Sequence, residues 1–348
     1  MPFTMPLAQT PEISLSKDAS QPPVLDAPVE VLAQAPLPDA FNPREIFEPN
    51  GFYGHAMALK RWAGVSANLP LPAIIQHGIY FYQGDFVSGG EAQALLPVCW
   101  VPTPQRASVY ARVCKRPAMA IGAPFLYALA YWQNRLKHLT TDPISNALNA
   151  PRGTLVFPAH STRYIQAEFD HKRLAQTLAQ LSKAYNPIRV SLFWKEIEAG
   201  AHQSYQQAGL EVVCNGHQFD PAFIDRLCLN LLRHARVLTT GIGSHVPYAI
   251  ASGRPVYRLE DFEASYHELK PGTLIDDAQA GRLNFAAQTF AQLFAPWDAC
   301  NKRDTISQAQ QAWAQSYTGA PWLKTTDELK TLFKLAQHQD AFWPAHWV

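Results

Sequence analysis

Between residues 154 and 259 short apolar runs alternate with helical patterns, and this alternation limits the fold more than any other feature. The runs are "TLVFPA" (154–159), "IRVSLFW" (188–194), "EVVC" (211–214), "RVLTT" (236–240) and "PVYRL" (255–259). Between the first two, Leu174, Leu178 and Leu181 mark one face of a helix over 170–185, the i, i+4, i+7 spacing of an amphipathic segment. A second helix is predicted over 200–210, and a third runs to 235 with Asp220 as its N-cap and Pro221 at its first position. Strict β-α alternation with short connections predicts a parallel, doubly wound sheet. Such a sheet is covered on both faces, which is why its strands are apolar throughout.

The rest of the chain is read around this block. A length of 348 residues suggests two domains. Residues 1–40 carry eight prolines and few aromatics, the composition of an extended or partly disordered arm that can also wrap a domain surface. Residues 41–145 read as an N-terminal α/β unit, with strands expected within 71–81 and 94–102, a helix over 104–114, and a strand, a glycine turn and a helix in succession over 117–132. The stretch 138–153 has the Pro, Asn and Gly content of a connection. The C-terminal Rossmann-like domain spans 150–285, and 286–348 is predicted helical, including 325–337, with its closing aromatic residues packing back on the body.

Charge and cysteine use exclude several function classes. The 29 basic and 28 acidic side chains leave a net charge of +1, without the basic stripe that nucleic acid requires. Five scattered cysteines, never spaced C-x-x-C, fit buried thiols in a reducing compartment. No run of 18 apolar residues and no signal-peptide pattern occurs, so a cytoplasmic protein without a transmembrane segment is expected.

In an open α/β sheet, ligands bind outside the carboxyl ends of the strands. The residues expected there are His160, Ser161 and Thr162 after the first run and Lys195 after the second. His217 follows the third run, and Thr240, Gly241, Gly243, Ser244 and His245 follow the fourth. Glu260 stands after the fifth. Ser244 is placed to cap a short helix over 244–252, whose first turn would point N–H groups at an anion. Gly241 and Gly243 allow close backbone approach. The same pattern also serves as an ordinary strand-to-helix turn. No G-x-G-x-x-G follows the first strand, and no Walker A, H-E-x-x-H or G-x-S-x-G motif is present.

The stretch "TTGIGSHVPYAIASGRPV" resembles the donor domain of GT-B-fold glycosyltransferases through Thr240, Gly243, Ser244, Ala249, Gly253, Pro255 and Val256. "GTLVFPAHST" and "QHG" are similar to stretches of bacterial surface-polysaccharide transferases of that fold. The resemblance implies two Rossmann-like domains facing a cleft, a five-or-more-stranded parallel C-terminal sheet and a helical C-terminus. It also implies a nucleotide-sugar donor whose phosphate meets the Gly243–His245 turn, and a carbohydrate acceptor. The chain departs from the family where a ribose-binding glutamate is common in the first helical turn, since His245 and Tyr248 stand there; Glu260 is the alternative. His77, at the end of an N-terminal strand, is the expected base, with Asp85 its competitor, because imidazole titrates near neutrality. A structural histidine bonded to backbone is the plainer account of His77, and more so of His55.

No metal or cofactor is expected, consistent with the lack of a D-x-D triplet. Peripheral association with a membrane-bound acceptor or assembly machinery is compatible with this reading. Alternatives within the fold are a nucleotide-sugar epimerase, a polyol-phosphate transferase, or a non-catalytic protein that binds nucleotide-sugar.

Overall fold

The computed structural model describes residues 23–36, 45–81, 84–136, 150–162, 165–181, 183–262, 264–269, 286–298 and 305–338. Most of the Pro-rich arm, residues 138–149 of the expected connection and the closing aromatic residues fall outside them. The chain is an α/β protein built on two parallel sheets. The first has β1 (Ala73–Ile75), β2 (Val98–Val101) and β3 (Ala118–Ala120) in the order β1-β2-β3. The second contains β4 (Thr154–Phe157), β6 (Ile188–Leu192), β7 (Glu211–Cys214), β8 (Arg236–Thr239) and β9 (Val256–Arg258), in the order β7-β6-β4-β8-β9. All its pairings are parallel. The chain winds outward from β4 to one side, then returns and winds to the other. That reversal opens a crevice beyond the carboxyl ends of β4 and β8.

Each sheet is covered on both faces, so its strands can be apolar throughout. One face of the larger sheet carries α6 (His171–Ala179), α7 (Trp194–Glu198) and α8 (His202–Gln207). Leu174, Leu178, Trp194 and Tyr205 are buried there with Val190 and Leu238. Part of the N-terminal segment joins this layer: α1 (Val29–Leu32) buries Val29 and Leu32 in the same cluster. The opposite face meets α9 (Phe223–Arg233) and α10 (His245–Ala251), and α5 (Pro124–Leu136) packs on α9. The smaller sheet lies between two layers, α2 (His55–Ala63) with α12 (Thr326–His338) on one side and α4 (Pro104–Cys114) on the other. The last helix thus crosses back to the first sheet, where Phe333 meets Trp100 at 5.2 Å.

The two sheets are joined through α9. Arg61 of α2 donates to both carboxylate oxygens of Asp225, one at 2.7 Å, and Trp132 of α5 donates to the same carboxylate at 2.7 Å. Arg61 lies over the Tyr131 ring at 4.2 Å. Nearby, Phe125 of α5 stacks on Tyr248 of α10 with centroids 4.2 Å apart. The turn before α2 docks on the other half: Gly54 has φ +70°, and a Cβ on it would stand 2.2 Å from the Pro221 carbonyl oxygen. Only glycine combines that backbone conformation with that approach.

Two local expectations are corrected. The helix after β7 begins at Phe223, not at Pro221, because the Asp220 carboxylate turns back to accept from the Ala222 N–H at 2.8 Å and to pair with Arg226 at 2.6 Å. A two-stranded antiparallel ladder, β5 (Ile165–Glu168) with β10 (Ser265–Glu268), was not expected. Its residues are half-buried or exposed and about a hundred positions apart, so no local apolar pattern announces it.

Candidate functional site

A cavity of about 500 Å³ lies between the carboxyl ends of the two sheets, within the usual range for a small-molecule site. Phe157, Ala159 and His160 reach it from β4, Phe193 from β6, Asn215 from β7 and Ile242–His245 from β8. The opposing wall comes from Tyr53 and His55 at the start of α2 and from the His77–Phe81 segment that follows β1. The residues after β1 and β4 therefore face one space, as the strand-end argument expects of the second sheet.

The turn after β8 is built differently from a capped helix. Ser244 has φ −55° and ψ −28°, already helical, and its side chain makes no cap. A capping side chain needs extended backbone at its own residue. Instead Ser244 Oγ accepts from the Ile79 N–H at 2.9 Å, tying this turn to the segment after β1. Its own O–H remains to donate. Gly78 sits beside this bond at φ +79°, and a Cβ there would lie 3.2 Å from Ser244 Oγ. In the first helical turn the Val246 N–H donates to the Gly243 carbonyl at 2.9 Å, and Pro247 has none. The turn thus offers fewer free donors than its sequence suggests. His245 stacks on Phe157 at 4.5 Å, and its Nε2 is 2.8 Å from Thr239 Oγ1. Burial, and then the neighbouring His160, push its pKa down to about 3, so its imidazole is neutral at ordinary pH.

Across the cavity His77 stands over a carboxylate. Its Nδ1 is 3.2 Å from Glu91 Oε1, within ion-pair range though off the line of a hydrogen bond. Glu91 is fully buried in α3 (Gly89–Gln93). It accepts from Tyr110 at 2.7 Å, from Tyr80 at 3.1 Å and from the Ser88 N–H at 3.3 Å. Burial alone would raise its pKa, but His77, Tyr110 and Ser88 outweigh that and hold it below the ordinary value. A buried anion beside an imidazole fixes which nitrogen carries the proton. Sequence reasoning missed Glu91. The available signal was the Ser88–Glu91 capping box, which is present in both directions and by itself announces only a helix start.

Three further residues stand in the lining. His55, 3% exposed, has a buried Nδ1 with no partner, and burial followed by His77 lowers its pKa to about 3. Tyr53 holds φ +57° and donates its N–H to the Gln218 carbonyl at 2.6 Å. Burial pushes its phenol up to about 12. His160 reaches solvent through the cleft yet has protein on its other sides, against Phe193 at 5.2 Å, and that surrounding lowers its pKa.

Of the residues expected from sequence, the cavity gathers His77, His160, Gly243, Ser244 and His245. The others are placed elsewhere. Asp85 is an exposed carboxylate paired with Arg112. Ser161 Oγ accepts from the Ala167 N–H and Thr162 Oγ1 from the Ile165 N–H, both at 3.1 Å, so both hydroxyls serve the turn into β5. The Ser161 N–H donates to buried Glu196, whose pKa burial raises. Lys195 lies over the Trp194 ring at 4.6 Å and is 4.0 Å from Glu198. His217 is buried against Trp194 at 4.2 Å and accepts from the Phe219 N–H. Thr240 has a buried hydroxyl without a partner, outside the lining. The Gly241 carbonyl accepts from Thr239 at 2.7 Å, and Glu260 pairs with Arg258 at 2.7 Å. Among the described residues no group of three or more His, Cys, Asp or Glu is placed to hold a metal ion. No helix among them is long and apolar enough to cross a membrane.

No family model and no curated protein sequence matches the chain. Among solved structures it is similar to a glycosyltransferase from Rickettsia africae at 10% identity, covering 77% of this chain and 65% of that one, with a TM-score of 0.29. It is also similar to the UDP-GlcNAc 2-epimerase of Neisseria meningitidis, at 11% identity over 86% and 84% of the two chains and a TM-score of 0.37. A third likeness is to the N-terminal domain of Candida albicans trehalose-6-phosphate phosphatase, with 10% identity, 84% and 68% coverage and a TM-score of 0.32. These likenesses are loose, and the chain spans just under two thirds of the first.

Proposed function

We propose that this chain is a glycosyltransferase that moves a sugar from a nucleotide-activated donor to a carbohydrate acceptor. One observation carries the reading: His77, backed by buried Glu91, faces the Gly243–His245 turn across a single cavity at the strand ends. With Nδ1 turned to Glu91, Nε2 is the nitrogen left to take the proton of an acceptor hydroxyl. That oxygen bonds to the anomeric carbon as the bond from that carbon to the phosphate oxygen breaks. The developing charge is met by the Ser244 hydroxyl and an N–H of His160, fixed dipoles of the kind that stabilise leaving groups without reorganisation. No metal has a role in this scheme. The acceptor side is assigned to residues 41–145 and the donor side to 150–285. The sequence resemblance suggests surface polysaccharide or glycoconjugate synthesis in the cytoplasm as the setting.

The test is a melting panel of CMP, CDP, UDP, GDP, ADP and TDP on the whole protein, followed by turnover of the matching sugar nucleotides. A ligand at a hundred times its Kd adds about 2.7 kcal/mol of stability. The expected result is a shift with one nucleotide, and transfer that His77→Ala abolishes while nucleotide binding persists. No shift with any nucleotide overturns the proposal. Sugar conversion without an acceptor would make the protein an epimerase, and binding without turnover would make it a sensor.

A further inference from the structure

The walls of the cavity suit one kind of guest. Among the described residues that line it, none is Lys, Arg, Asp or Glu. Several of its polar side chains are already engaged within the protein. Asn215 donates to Ser191 Oγ at 3.2 Å and accepts from Asn230 at 2.8 Å, and Tyr80 donates to Glu91 behind the wall. A charged group or a cluster of sugar hydroxyls buried there would find few partners, and unpaired polar groups are costly to desolvate. Rings fill the walls instead. The Tyr80 ring stands 6.3 Å from His77, with Phe86 5.3 Å beyond it. Tyr53 meets Phe223 at 4.9 Å and Phe193 at 6.2 Å, one ring from the first half of the molecule and two from the second. All five line the cavity and are only half-buried, so the protein leaves part of each uncovered.

We infer that the acceptor is an aryl glycoside, whose uncharged aromatic aglycone lies among these rings and brings a sugar hydroxyl to His77. An aromatic guest covers the apolar surface the protein leaves open, and ring pairs gain beyond the area they bury. The sugar stays at the mouth, where the His77 side chain is 26% exposed and water serves its remaining hydroxyls. A nucleobase shares the aglycone's chemistry, but the rings nearest His77 belong to the acceptor-side half. The inference rests on the transferase reading for calling this molecule the acceptor; the ring site itself does not depend on it.

The test is calorimetry on the full chain with 2-naphthyl glucoside, 2-naphthol, methyl glucoside and 2-naphthoate, at low and high salt. The variants Phe86→Leu and Phe193→Leu, one in each half, keep an apolar side chain and lose the ring; melting curves check that they fold. Naphthyl glucoside and naphthol are expected to bind with an affinity that salt leaves unchanged. Methyl glucoside and naphthoate should bind at least about tenfold more weakly. Each variant should weaken the two naphthyl probes about three- to tenfold, the worth of one aromatic contact. No binding of either probe overturns the inference, as does wild-type affinity in both variants. Methyl glucoside as tight as naphthyl glucoside, or naphthoate as tight as naphthol, overturns it too. Displacement of naphthol by uridine, cytidine, guanosine or adenosine gives the rings to the donor's base and overturns the acceptor assignment. None of these titrations needs a donor. Naphthyl binding that the variants weaken, in a protein that binds no nucleotide, therefore sustains the ring site and removes only the transferase reading.

Discussion

Acidification should weaken this fold through its buried histidines before its carboxylates respond. His55 and His234 are 3% and 0% exposed, and burial lowers both pKa values to about 3. His234 is fixed further by a 2.6 Å contact between its Nδ1 and the Asn230 carbonyl. In the unfolded chain each titrates near 6.5. As pH falls below that value the unfolded state binds a proton that the native state refuses, so stability falls with pH until about 3, where the native imidazole also protonates. From pH 7 to pH 5 each group removes about 2 kcal/mol. That figure barely depends on the native pKa, because anything below about 4 leaves the native ring neutral at pH 5. The pair together removes about 4 kcal/mol, a large part of an ordinary stability. Glu196 works the other way, since its raised pKa lets the native state take a proton earlier, so the comparison must be made variant by variant. Urea unfolding at pH 7 and pH 5 is the assay, on wild type, His55→Phe and His234→Leu. Each variant should lose about 2 kcal/mol less than wild type over that interval. A pH slope identical in wild type and variants would refute the reasoning.

Other outcomes follow from single contacts. Asp225→Asn leaves the buried Arg61 guanidinium without its counter-charge and should cost about 3–5 kcal/mol in urea unfolding. The double variant Arg61→Met/Asp225→Leu should recover much of that loss. Gly54→Ala forces a Cβ against the Pro221 carbonyl at a positive φ and should lower the melting temperature by several degrees. In the transferase scheme Glu91→Gln removes the charge beneath His77. It should lower kcat by about 10²–10⁴, the span of general-base catalysis, while nucleotide affinity stays within twofold.

Much of the larger sheet was legible because each strand and helix carries its own local pattern. The run "EVVC" became β7 at the predicted bounds, and Leu174 and Leu178 lie in the core as their spacing requires. The strand-end rule also brought His160 and the Gly243–His245 turn to the cavity. It locates a residue at a sheet edge but not the direction of its side chain, and direction decided the remainder. Ser161 and Thr162 turn toward β5 backbone, and Lys195 turns along its own helix to Glu198. Glu91 was hidden for a different reason. Its spacing from Ser88 describes a helix start, while its burial under His77 arises only when α3 folds against α4 and the segment after β1, contacts invisible to any window of sequence.

The two halves are fastened unequally, and this sets how the molecule can deform. At the back, Asp225 gathers Arg61 and Trp132 out of water, and parting them would strand buried charge at a cost of about 3–5 kcal/mol. At the mouth, the contact between Ser244 and Ile79 is one neutral hydrogen bond, worth about 1 kcal/mol net. Thermal motion therefore parts the Ser244–Ile79 contact far more readily than the Asp225 cluster. The Ser244–Ile79 bond yields roughly 30- to 900-fold more often than the Arg61–Asp225 clamp, by the difference of about 2–4 kcal/mol between those free energies, so the wall of the cavity gives way at this turn long before the halves part at the back.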